Sequence, residues 1–102
     1  MSPLRRSRFD ELVTRQLELF ATDERGLLAE AVEAERRYDA APRDEAEEAY
    51  GDYQLVLDAV ADALADLKLA YASTLDDDAS ETYERAFDRA AGKRFALLRG
   101  RF

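Results

Sequence analysis

A chain of 102 residues with 47% hydrophobic residues is sized for one domain with a modest core. It contains no cysteine and no histidine, which excludes disulfides, thiolate metal sites, a cysteine nucleophile and any Ser-His-Asp arrangement. Its formal net charge of -8 opposes broad binding to nucleic acid or anionic membranes.

The charge is unevenly placed. All 23 acidic residues lie between Asp10 and Asp88, whereas Arg5, Arg6 and Arg8 precede them and Lys93, Arg94, Arg99 and Arg101 follow. No apolar run approaches the ~20 residues needed to span a bilayer, and Met1 to Phe9 lacks the apolar centre of a secretory signal. These features lead to an expectation of a cytoplasmic protein. Arginine outnumbers lysine, and alanine and acidic residues are abundant, a bias common in GC-rich bacterial genomes.

Residues 1–7 read as a short flexible lead-in, with Ser7 able to cap the helix after it. This first helix is expected over residues 8–39. Phe9, Leu12, Val13, Leu17, Phe20, Leu27, Leu28, Ala31 and Tyr38 fall on one stripe of it, at the three-and-four spacing of one helical face. Its weak point is Thr22 to Gly26. There Glu24 occupies a stripe position, Gly26 costs ~1 kcal/mol against alanine, and Thr22 or Asp23 could cap a fresh start. One helix, bent at this point, is the expectation, and a break is the alternative.

Pro42 pushes Ala41 out of helical geometry and opens the next element. A helix over residues 43–75 comes next, with Ala46, Tyr50, Tyr53, Leu57, Val60, Leu64, Leu67, Tyr71 and Leu75 on its face. At ~1.5 Å per residue it would be about 50 Å long. Two long helices joined by a few residues lie antiparallel. The expected register brings Phe9 to Tyr71, Val13 to Leu67, Leu17 to Leu64, Phe20 to Val60 and Leu28 to Tyr53. After it, Asp76-Asp77-Asp78 supplies an N-cap and dipole-favouring charges for a third helix over 79–98. Tyr83, Phe87, Ala90, Ala91, Phe95 and Leu98 form its stripe, and Gly100 stops it.

The fold class expected is therefore all-α, a long antiparallel helical hairpin plus a shorter third helix, in a single helical domain 1–102 with short flexible basic ends at 1–7 and 99–102. The third helix is too short to cover the half of the hairpin near the turn. Leu27, Leu28, Ala31, Tyr38, Tyr50, Tyr53 and Leu57 would then form an exposed apolar stripe, and such a stripe marks an interface. The simplest completion is a homodimer with a four-helix-bundle core. A compact three-helix monomer is the competing arrangement. A charge ladder between the second and third helices, Asp58 to Lys93, Asp62 to Arg89 and Asp66 to Arg85, would fix their register.

Carboxylates are the only plentiful reactive groups, so an enzymatic reading must use them. Paired acidic elements on facing helices hold magnesium in all-α nucleoside triphosphate pyrophosphatases, and Glu30, Glu33, Glu48 and Asp52 are the candidates here. In a chain this acidic such spacings arise readily by chance. A diiron bundle needs histidine. The calcium-loop echo of Asp76, Asp78 and Ser80 fails because Glu81 stands at the glycine position and Phe87 at the twelfth. Glu24 and Glu35 sit on the stripe of the first helix as margin carboxylates. The basic ends lack interleaved aromatic platforms beyond Phe95 and Phe102, which argues against nucleic acid as a partner.

The function expected is a non-enzymatic protein-interaction or assembly module with no cofactor, a homodimer able to take a protein partner. The alternative is a magnesium-dependent all-α enzyme acting on a phosphorylated small molecule.

Overall fold

The computed structural model describes residues 8–98. The Ser7 cap, the stop at Gly100 and the end segments 1–7 and 99–102 lie outside the described residues. Those described form an all-α structure, with four α-helices and no strand. They are α1 (Asp10–Asp23), α2 (Arg25–Ala40), α3 (Ala46–Ala72) and α4 (Asp77–Arg94). Single 3-10 turns at Arg43–Glu45 and Ala96–Leu98 follow α2 and α4.

The expected first helix is divided at Glu24, the alternative its weak point allowed. Glu24 takes φ -108° and ψ 28°, outside α-geometry. Its N–H still reaches the Phe20 carbonyl at 2.8 Å, so the break is confined to one residue. Neither Thr22 nor Asp23 caps α2. Thr22 Oγ1 instead donates back to the Glu18 carbonyl, and Arg25 Nη1 donates to the Thr22 carbonyl at 2.9 Å, which closes the end of α1.

The second helix starts at Ala46 and not at residue 43, because Arg43–Glu45 takes the tighter 3-10 form after Pro42. Those three residues lengthen the turn and shift the register beside it. Tyr53 faces Glu35, whose carboxylate accepts the tyrosine hydroxyl at 3.2 Å, and its ring stacks with that of Tyr38 at 6.2 Å. At the far end, Phe9 meets Tyr71 edge-on at 6.5 Å. Ser73 and Thr74 end α3 by donating their hydroxyls to the carbonyls of Ala70 and Tyr71. Such local bonds compete with the helical ladder.

Asp76 then turns extended and its Oδ1 accepts the Ala79 N–H at 2.8 Å, a side-chain N-cap for α4. The helix stops at Arg94, earlier than residue 98. Gly92 weakens its last turn, and Phe95 leaves helical geometry to set its ring edge-on to Phe20 at 5.8 Å.

α2 packs along α3, whereas α1 packs chiefly on α4. Phe9 touches Tyr83 near the start of α4 and Phe20 touches Phe95 beyond its end, so α1 and α4 run parallel. The largest fully buried side chains, among them Leu17, Leu64, Tyr83, Phe87 and Leu98, come from α1, α3, α4 and the turn after α4. Tyr83 Oη donates to Gln16 Oε1 at 2.9 Å, so the one polar atom of that buried ring is satisfied. An ion pair joins α3 to α4, Lys68 with Asp88 at 2.9 Å. Arg85 lies beside Glu81 one turn back on its own helix, so it is not the partner of Asp66. Side-chain reach decides here: Lys68 is half-buried on the flank of α3, whereas Asp62 and Asp66 point to solvent on its outer face.

Candidate functional site

The extents of the structure are 51 × 30 × 22 Å and its radius of gyration is 16.0 Å. A compact chain of this length would have about 13 Å. The excess comes from the α2–α3 pair, which runs past the ends of α1 and α4.

Much of the stripe near the turn is nevertheless covered by the chain itself. Ala31, Tyr53 and Leu57 are buried, Leu27 and Leu28 are half-buried, and only Tyr38 and Tyr50 are exposed, at 36% and 47%. The cover comes from the mutual packing of α2 and α3, and on the flank of α2 an open depression is lined by Leu28, Val32 and Glu35 together with Phe95, Ala96 and Leu97. The chain leaves helical geometry at Phe95, and the turn Ala96–Leu98 that follows packs against α3 and α4.

What remains open is a tyrosine pair. The rings of Tyr38 and Tyr50 lie 5.2 Å apart at an angle of 57°, a favoured tilted geometry. Tyr53 lies beneath, held by its hydrogen bond to half-buried Glu35. Arg36 and Arg37 on α2 and Glu45, Glu48 and Asp52 across the turn line a separate shallow groove, to which neither tyrosine contributes. The turn therefore presents an open aromatic pair on one face and a groove of mixed charge apart from it.

The four metal candidates do not converge. Glu30, Glu33, Glu48 and Asp52 are all exposed, and among the described residues no three carboxylates come close enough to hold an ion. Glu33 is engaged by Arg36 and Arg37. The Arg36 hydrogen bond holds its carboxyl below the usual carboxylate range, which favours the paired, charged form and not a free ligand. Glu48 and Asp52 share the groove with the two arginines.

A second concave surface, which the stripe pattern alone did not reveal, lies between α1 and α4. It is an open groove of about 600 Å³ lined by Thr14, Leu17, Ala90, Lys93, Arg94 and Phe95. The available signal was the Lys93-Arg94-Phe95 run, whose aromatic residue follows two cations at a helix end. Among the described residues no helix is long and apolar enough to cross a membrane. No protein-family model matches the chain, and neither a curated protein nor a solved structure shows significant similarity to it.

Proposed function

We propose that this protein is a non-enzymatic helical assembly module that pairs with a second copy through the tyrosine-bearing end of its α2–α3 pair. The observation that carries this reading is the open Tyr38–Tyr50 pair, whose rings lie 5.2 Å apart and are 36% and 47% exposed. Tyrosine is enriched at the energetic centres of interfaces, where a charged rim excludes water from a packed aromatic core. A twofold axis through the pair sets the tyrosines of one copy against those of the other, so a single patch serves both partners. Leu27 and Leu28 extend the contact along α2, and the buried Ala31, Tyr53 and Leu57 support it from below. The two tyrosines alone fall well short of the ~800 Å² per partner of a standard interface, so Leu27, Leu28 and the surface around them must take part.

Light scattering at two protein concentrations tests the reading. A mass of two chains that falls to one for Tyr38→Glu/Tyr50→Glu, with helical content unchanged, is the expected result. A parent that stays monomeric at both concentrations would remove the proposal.

A further inference from the structure

We infer that the groove between α1 and α4 is a docking site for an acidic amphipathic helix of a partner protein. Its floor is apolar: Leu17 and Phe95 are buried side chains and Ala90 is half-buried. The walls are two parallel helices, with Thr14 and Leu17 at a three-residue step on one and Ala90, Lys93 and Arg94 at three- and four-residue steps on the other. Such a trough accepts a third helix lying along it, whose row of apolar side chains enters the space between the walls. Phe95 against Phe20 closes one end and fixes how far such a helix can slide.

The charge of the occupant follows from the rim. Lys93 and Arg94 are exposed and neither forms an ion pair among the described residues. Lys68, Arg85, Arg36 and Arg37 each have a carboxylate within ion-pair distance. Arg94 rests its guanidinium near the Phe95 ring, 5.9 Å from the centroid, and so stays over the groove. The helix dipole favours both cations at the end of α4, but it does not require an apolar trough beside them. Carboxylates flanking the apolar row of an incoming helix would meet the two cations at the edge of a low-dielectric floor. The acidic remainder of the surface repels the same helix elsewhere, so charge determines where it sits. The groove is open along its length and would leave a small molecule largely wet, which favours the helix as occupant.

The probe is a synthetic helical peptide of about five turns, ~18 residues, with leucines on one row and glutamates on both flanks. Its counterpart replaces every glutamate by lysine. Titration of the full chain, followed by calorimetry and by amide NMR shifts, should give saturable binding of the acidic peptide with shifts at Thr14, Leu17, Ala90 and Phe95. Lys93→Glu/Arg94→Glu should weaken it by at least ~10-fold, and the lysine counterpart should not bind there. Lys93→Gln/Arg94→Gln and Ala90→Glu guard against a folding defect in the reversed pair, and each should weaken binding too. Absence of saturable binding, equal binding of both peptides, or an affinity untouched by these variants overturns the inference. Tyr38→Glu/Tyr50→Glu should bind the acidic peptide as the parent does, so failure of the self-association reading and failure of this one are read separately.

Discussion

The hydroxyl of Tyr83 donates to the side-chain carbonyl of Gln16 at 2.9 Å, tying α4 to α1 across 67 positions of sequence. Because the Tyr83 ring is fully buried, that bond satisfies an oxygen that has no access to water. Tyr83→Phe removes the bond but leaves half-buried Gln16 able to turn to solvent, so it should cost about 1 kcal/mol. Urea unfolding followed by circular dichroism measures it. A loss above ~3 kcal/mol would mean that the bond belongs to a larger polar network.

The same tyrosine makes stability depend on pH at the alkaline end. Burial pushes its hydroxyl pKa up, the nearby Tyr71 and Glu84 add to the rise, and the Gln16 hydrogen bond acts in the opposite direction. The folded state therefore holds the proton more tightly than the unfolded chain, whose tyrosine titrates at about 10. Its contribution is fully present below that value and is lost as pH rises through the folded value. The urea midpoint of the parent should fall relative to that of Tyr83→Phe only above about pH 10. Parallel curves across that range would show that Tyr83 ionises as freely in the folded state.

Asp76 should be worth ~1 kcal/mol as an N-cap, since its Oδ1 satisfies the Ala79 N–H at 2.8 Å. Asp76→Ala should lower the unfolding midpoint accordingly, whereas Asp77→Ala should have a smaller effect through the helix dipole alone. Equal losses for the two would place the cap elsewhere.

Gly26→Ala should stabilise. A methyl group there meets nothing within 4 Å, and alanine replaces glycine in a helix with a gain of about 0.5–1 kcal/mol. A rise in the thermal midpoint is expected. A fall would mean that glycine is needed for the chain direction at Glu24.

The register of α3 against α4 can be read by double-mutant cycles. Lys68 and Asp88 should couple by a few tenths of a kcal/mol up to ~1, as half-exposed ion pairs do. Asp66 and Arg85 should show coupling near zero. The reverse result would restore the ladder expected from the sequence. In the same preparation, millimolar magnesium should leave the melting temperature unchanged, because the exposed Glu30, Glu33, Glu48 and Asp52 do not gather. A rise that Glu33→Gln/Glu48→Gln abolishes would reinstate the enzymatic alternative.

The all-α class was legible because each apolar stripe keeps helical spacing and the ends carry strong local signals, Pro42 for one turn and Asp76 for the other. At Glu24 the sequence marked the weak point and allowed a break as the alternative, without deciding between bend and break. The outcome there turns on where α1 finds its neighbour, and that neighbour is α4, which begins only at Asp77. The register near the turn was missed because three residues, Arg43–Glu45, take 3-10 geometry, which no periodicity of apolar residues encodes. Of the expected interface, Tyr38 and Tyr50 are open, whereas Ala31, Tyr53 and Leu57 are covered. That cover comes from the packing of α2 on α3, and a stripe counted along one helix cannot say how deeply its neighbour buries each position.

The parallel pairing of α1 with α4 has a consequence for how the chain is made. A ribosome releases the apolar row of α1 well before its partner α4, and at 5–20 residues per second the 67 positions between Gln16 and Tyr83 take roughly 3–13 s to synthesise. The contacts of α2 with α3 are closer in sequence and can form during that interval. Nascent α1 therefore waits beside a finished helical pair until α4 emerges from the exit tunnel and closes its apolar row.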